Sequence, residues 1–214
     1  MPKPFIDLRS DTVTKPSTEM LEAMFKAEVG DDVFHEDPTV IALQEKIAKL
    51  FSMEASLFFP SGTMANQVAI KIQTNPGDQV ICDKDAHIFH YESGGVAFNS
   101  GVSCCLINGN NGQFTSEDVK NNINKPEFYH TPFSKLVAIE NTANRAGGTF
   151  WNFTELKAIK AVCNANNLKF HLDGARLWNA LVETDELPAD YGNLFDTISV
   201  CLSKGLGCPG GSLL

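Results

Sequence analysis

A lysine, an aspartate, a histidine and a small-residue turn are the groups in this sequence best suited to chemistry. In "SVCLSKGLG" Lys204 follows an apolar run and precedes a glycine-rich stretch. An amine drawn out of bulk water can form a Schiff base with a carbonyl; read by itself, the same stretch is a solvated lysine at a domain edge. "KFHLDGARLW" brings Asp173 to the end of another apolar run, with Arg176 three residues on. A carboxylate in apolar surroundings can pair with a protonated heterocycle, or simply cap the next helix. In "FFPSGTMANQ", Ser61, Gly62 and Thr63 stand where a strand would give way to a helix. The free amides of such a helix start suit a phosphate, although a plain capped turn has the same residues. No GxxxxGK[ST] loop is present.

"CDKDAHIFHYESGG" adds His87, His90, Tyr91 and Glu92. The two histidines are three apart and could share a helical face, which raises a metal site. With no HExxH and no further ligand cluster nearby, the preferred alternative is that His87 lays its imidazole on a planar ring, a plain hydrogen-bonded histidine being the third reading. "VAIENTANRAGG" ends an apolar run in Glu140, Asn141 and Thr142, either site-lining groups or a hydrated loop. Each signal is weak alone. Their order, a phosphate-type turn, a histidine loop, an aspartate and then a lysine, each near a strand end, supplies the parts of a pyridoxal phosphate site.

The elements needed to position these groups are visible in the pattern. "SLFF", "QVICD", "VSCCLI", "KLVAIE" (135–140), "LKFHLD" (168–173) and "FDTISVCLSK" (195–204) are strand-like. Between them "TMANQVAIKIQT" and "NFTELKAIKAVCNANN" have helical spacing, the latter capped near Asn152 or Thr154. Upstream, "KPSTEMLEAMFKA" predicts an amphipathic helix through Met20, Leu21, Met24 and Phe25, with Pro16 near its first turn, and "PTVIALQEKIAKLF" a second helix. Alternation of this kind predicts an α/β domain with a mostly parallel sheet between helices. Ligands in such sheets bind beyond the carboxyl ends of the strands, where all the groups above fall.

Composition sets the limits. With 43% hydrophobic and 20% charged residues over 214 positions, the chain can build a large core and is not disordered. Its net charge of −9 leaves no electrostatic footprint for nucleic acid or an anionic membrane, so a small molecule is the expected partner. The six cysteines form no CxxC pair, and no apolar run has the length of a signal or a membrane span. Reduced thiols and a cytoplasmic location are expected.

Seven stretches, "IDLRSDTVTKPSTEM", "GDDVFHEDPTV", "LFFPSGTMANQ", "HIFHYESGG", "IENTANRAGG", "HLDGARLWNA" and "LSKGLGCPGGSLL", resemble in order and over nearly the whole chain the L-threonine aldolases. These belong to the β-eliminating lyase and threonine aldolase group of pyridoxal phosphate enzymes. The resemblance implies the aspartate-aminotransferase-like fold (fold type I), with Lys204 holding the cofactor covalently and Asp173 paired with its ring nitrogen. It implies His87 stacked on the ring face, and Gly62 and Thr63 on the phosphate. Ser10 and Arg176 would bind the substrate carboxylate, Arg176 also standing among the cofactor contacts, and Glu92 would lie on the substrate side. The implied reaction is aldol cleavage of L-threonine or L-allo-threonine to glycine and acetaldehyde, His87 being a candidate base; no residue is singled out as a metal ligand. Another pyridoxal phosphate lyase or aminotransferase reaction, or a non-catalytic fragment that only associates with longer subunits, is the alternative. Residues 1–214 would then hold the N-terminal segment and most of the cofactor-binding large domain. A small domain would follow beyond Leu214, and the full-length form would be a dimer of dimers.

Overall fold

Five apolar runs become the five parallel strands of one sheet, because a strand covered by helices on both faces has no solvent side on which to place polar residues. The computed structural model describes residues 5–125 and 127–214; Met1–Pro4, the start of the N-terminal segment, and Pro126 lie outside the described residues. The elements run α1 (Thr18–Lys26), α2 (Pro38–Phe51), β1 (Phe58–Phe59), α3 (Gly62–Gln73), β2 (Gln79–Asp83), α4 (His87–His90), α5 (Gly95–Ser100) and β3 (Ser103–Ile107). They continue with α6 (Ser116–Asn121), β4 (Ser134–Glu140), α7 (Phe153–Ala165), β5 (Lys169–Gly174), α8 (Leu177–Glu183), α9 (Pro188–Gly192), β6 (Thr197–Cys201) and β7 (Ser212–Leu213). The sheet order is β1-β7-β6-β5-β4-β2-β3. Strands β3, β2, β4, β5 and β6 are mutually parallel, whereas β7 returns antiparallel to β6 and pairs antiparallel with β1.

Two cores cover the two faces. On one, Ile81, Val137, Ile139, Phe170, Leu172 and Val200 pack with Leu156 and Ile159 of α7 and Phe51 of α2. On the other, Val80, Cys82, Leu136 and Ala138 pack with Ile70 of α3 and Val96 of α5. The expected α/β architecture of fold type I, a mostly parallel sheet between helices, is therefore present. No helix among the described residues is long and apolar enough to cross a membrane.

Several expected elements change in detail. The "SLFF" strand is only the two-residue β1, and it joins the sheet through the antiparallel edge rather than the parallel set. The strand drawn through Lys204 stops at Cys201: Phe195 is taken into the core, stacked on Phe170 with ring centroids 4.1 Å apart, and the chain turns after Leu202. Helix α1 starts at Thr18, two residues after Pro16, and Ser17 caps it by accepting from the Met20 amide. Its apolar face forms as expected but does not reach the core: Leu21, Met24 and Phe25 are exposed. Asn152 caps α7 by accepting from the Thr154 amide, one of the two residues anticipated.

Candidate active site

The carboxyl ends of β4, β5 and β6 carry a row of polar side chains on the face that α3 covers. Register pairs Glu140 with Asp173 and Asp173 with Ser199, and one row deeper Ala138 with His171 and His171 with Thr197. Side chains two apart along a strand share a face, so Glu140, Asp173, Ser199, His171 and Thr197 all look toward α3. The N-terminus of α3 closes the row. Ser61 caps it by accepting from the Met64 amide. The amides of Gly62 and Thr63, first in the helix, have no intrahelical acceptor. Gly62 permits the approach: a Cβ there would lie 2.6 Å from Cys201 Sγ at the end of β6 and 3.4 Å from Ser212 Oγ.

A cavity of about 400 Å³ opens over this row, lined among others by Ser10, Gly62, Thr63, His87, Asp173, Arg176 and Lys204. The structure thus brings together seven of the eight residues that the resemblance assigns to the site. The eighth, Glu92, stands behind His87 and is buried. Lys204 lies in the turn after β6, its Nζ 2.9 Å from Cys201 Sγ, and its carbonyl accepts from Thr14 Oγ1 at 2.7 Å. Asp173 Oδ1 accepts from the Ala175 amide at 3.1 Å, and Oδ2 accepts from Asn66 Nδ2 at 2.9 Å. Arg176 gives Nε and Nη2 to Asp11, each at 2.7 Å. That pairing raises the arginine's pKa and holds the Asp11 carboxyl below its usual range, against the cost of partial burial. Ser10 sits beside Asp11 on the N-terminal arm, and its side chain caps the short 3₁₀ turn Asp11–Val13.

His87 opens the one-turn helix α4. Its Nδ1 lies 3.0 Å from Glu92 Oε1, and this contact is the main cause of a pKa raised above the ordinary histidine value; burial opposes it. His90 takes no part: its Nε2 faces the Lys84 carbonyl at 2.7 Å. Ligand atoms of His87, Glu92 and Asp173 do lie within 4.8 Å of one another, but the nearest atoms are spent on hydrogen bonds, His87 with Glu92, and Glu92 and Asp173 with Asn66. Glu140 accepts from the amides of His87 and Asn144 at 3.0 and 2.8 Å. Burial, and then the neighbouring Asp173 charge, pushes its carboxyl up to about 7.

Asn66, Asn144, Cys201 and Asp11 belong to the site or its immediate support, and Asn144, Cys201 and Asp11 carry no signal of their own in the sequence. Asn66 alone had a usable cue, since it falls one helical turn after Gly62 on the buried face of α3.

Chemically, the cavity offers an amine, a carboxylate buried within the sheet edge, an imidazole on the wall and helix amides at one end. Such a set suits a flat, phosphate-bearing aldehyde and an amino acid joined to it.

The beta-eliminating lyase family model matches residues 7–214. A low-specificity L-threonine aldolase of Eremothecium gossypii is 41% identical over 211 residues, covering 97% of this chain and 54% of that protein. Its counterpart in Escherichia coli strain K12 is 42% identical over 210 residues, covering 98% and 62%. Among solved structures, the threonine aldolase of Leishmania major superposes with a TM-score of 0.81 at 25% identity, over 95% of this chain and 60% of that one. The chain therefore spans somewhat over half the length of the curated relatives it matches.

Proposed function

The chain belongs to the beta-eliminating lyase family, and from that premise we propose that it carries the pyridoxal phosphate site of an enzyme that cleaves L-threonine or L-allo-threonine to glycine and acetaldehyde. The observation that carries this reading is the shared cavity: Lys204, Asp173, His87 and the first residues of α3 line one space of about 400 Å³. The donor chemistry fits the cofactor. Lys204 would take its aldehyde, Asp173 its ring nitrogen, and the amides of Gly62 and Thr63 its phosphate. When bound, the cofactor supplies a protonated ring that accepts the electrons of the breaking Cα–Cβ bond.

The chain's own residues account for the rest of the chemistry. Asp173 is held at the sheet edge by the Ala175 amide, which donates to Oδ1, and by Asn66, which donates to Oδ2. Ser10 and Arg176 would bind the substrate carboxylate and so fix which Cα bond stands perpendicular to the ring. Arg176 is oriented for this by Asp11, which engages Nε and Nη2 and leaves Nη1 for a ligand. His87 is the proposed base for the β-hydroxyl, since Glu92 occupies its Nδ1 and leaves Nε2 to receive a proton.

The same reading assigns the protein to threonine breakdown and glycine formation in the cytoplasm, supported by six free cysteines. It also assigns a homo-oligomer, a dimer of dimers, supported by the apolar residues that the N-terminal arm leaves exposed.

Adding pyridoxal phosphate is expected to produce a visible imine band that borohydride fixes onto Lys204, and Lys204→Ala to abolish it. Threonine should then release acetaldehyde. Borohydride labelling of other lysines in place of Lys204 would refute the assignment, as would pyruvate or a keto acid as the product. Replacing His87 by Asn or Phe with no loss of rate would remove it as the base.

A further inference from the structure

We infer that Asn66 is a positioning residue: its side-chain amide, locked in one orientation by His171 and Ser199, donates to both Asp173 and Glu92 and thereby fixes the carboxylate at the ring nitrogen and the imidazole on the wall together. The inference rests on the pyridoxal phosphate reading for what those two groups serve, but its physical basis is a set of hydrogen bonds with one possible direction.

Asn66 is buried, and both halves of its amide are used. Nδ2 lies 2.9 Å from Asp173 Oδ2 and 2.9 Å from Glu92 Oε1. A carboxylate only accepts, so the NH₂ must face the pair. Oδ1 lies 2.6 Å from Ser199 Oγ and 3.2 Å from His171 Nε2, so both of those groups must donate. His171 is fully buried, and burial pushes its pKa down to about 4, which leaves a neutral ring with one proton. That proton is required on Nε2. Nδ1 must then accept from Thr197 Oγ1, 2.8 Å away, and Thr197 in turn accepts from Gln73 Nε2 at 2.8 Å. The whole relay, Gln73 to Thr197 to His171 to Asn66 to the carboxylates, has one polarity.

The alternative amide orientation fails at both ends. Turned over, Asn66 would point its oxygen at two carboxylates and its NH₂ at two donors, leaving buried polar groups unpaired, each with its desolvation cost uncompensated. Glu92 is held from its other side as well: Gln67 Nε2 donates to Oε2, and Asn99 Nδ2 donates to Gln67 Oε1. With both oxygens of Glu92 occupied as acceptors, its contact to His87 requires a proton on His87 Nδ1. Asn66 thus bears on the histidine two hydrogen bonds away.

The test has two parts. In the cofactor-free chain, ¹⁵N NMR of the imidazole rings should show His171 as the Nε2–H tautomer and neutral His87 as the Nδ1–H tautomer. An Nδ1–H tautomer for His171 would overturn the inference without any variant. In the second part, Asn66→Leu should weaken pyridoxal phosphate binding roughly tenfold and reduce the His87 tautomer preference, Gln67 still holding Glu92 from its other side. His171→Leu should behave similarly, and His171→Gln, which keeps a donor toward Oδ1, should restore parental binding. Parental affinity and tautomer in a folded Asn66→Leu chain would also overturn the inference. Should the parent itself fail to bind pyridoxal phosphate, the functional reading falls and the tautomers alone decide the role of Asn66; should Asn66→Leu not fold, the parental tautomers and the His171 pair decide it.

Discussion

The sheet edge and the N-terminal arm each contribute to one cavity, yet they are built in opposite ways. Glu140, Asp173, Ser199 and His171 are buried, paired in register and joined by hydrogen bonds within the sheet and to α3. Among the described residues of the arm, the 3₁₀ turn at Asp11, α1 and the 3₁₀ turn at Asp32 contain no buried residue. It meets the site through the Asp11 pair with Arg176 and the Thr14 bond to the Lys204 carbonyl. Phe25 is 91% exposed and Val29 84% exposed. The sheet-edge wall of the cavity is thus fixed by the chain's own core, while the rim formed by the arm is attached by a few polar contacts and leaves its apolar side exposed.

The largest test of that contrast is in the core beneath the wall. Phe170 on β5 is fully buried and stacked on Phe195. Phe170→Ala should cost about 3–5 kcal/mol in urea unfolding, and a loss below about 1 kcal/mol would show that the wall is not anchored as described.

Next is the charge on the wall. Glu140 has a folded midpoint of about 7 against an ordinary 4.5, so the folded state binds the proton more tightly. Its contribution to stability is therefore greatest below the unfolded value and declines as pH rises through about 7. Glu140→Gln should flatten that decline, which the shift limits to a few kcal/mol at most, while the amides of His87 and Asn144 lose one acceptor at every pH. Urea midpoints of parent and variant measured across this range check the sign; equal slopes would contradict it.

The arm should respond on a smaller scale. Asp11→Ala breaks a partly exposed bidentate pair and should cost about 1 kcal/mol or less, seen as faster proteolytic cleavage of the arm with little change in global unfolding. The Asp11 carboxyl is held low by Arg176, so this attachment is present above the ordinary aspartate value and lost as pH falls through the depressed one. Cleavage of the parent should quicken in acid in the same way, and an unchanged rate would mean that something other than this pair holds the arm.

How much of this was legible in the sequence follows the same division. Strands buried on both faces appear as apolar runs, so "QVICD" coincides with β2 and "KLVAIE" differs from β4 only by Ser134. The site residues could be found because parallel strands deliver their last residues to one edge. Asn66 and His171 were not found: a polar residue within a helix or strand pattern is ordinarily assigned to solvent, and only the packing of α3 over β5 buries both. β7 is two residues long and leaves no periodicity to detect, and Gly211 before it takes φ 101°, a backbone state that local apolar pattern does not encode. For α1 the pattern gave the helix and its apolar face correctly but held no information about what that face meets.

That last point makes the smallest predicted effect on folding an informative one. Phe25 ends an apolar stripe, with Leu21 and Met24, that belongs to neither core among the described residues. Removing a side chain that is exposed in both folded and unfolded states forfeits almost no transfer free energy, so Phe25→Ser should change urea stability by at most about 0.5 kcal/mol. If the stripe is covered by a second copy, the same substitution should shift sedimentation toward smaller species at unchanged fold. Phe170→Ala should show the reverse, a large loss of stability from a site remote from the stripe. Were Phe25→Ser to destabilise the chain as strongly as the β5 variant does, the arm would have to be part of the core, and the division between fixed wall and attached rim would not hold.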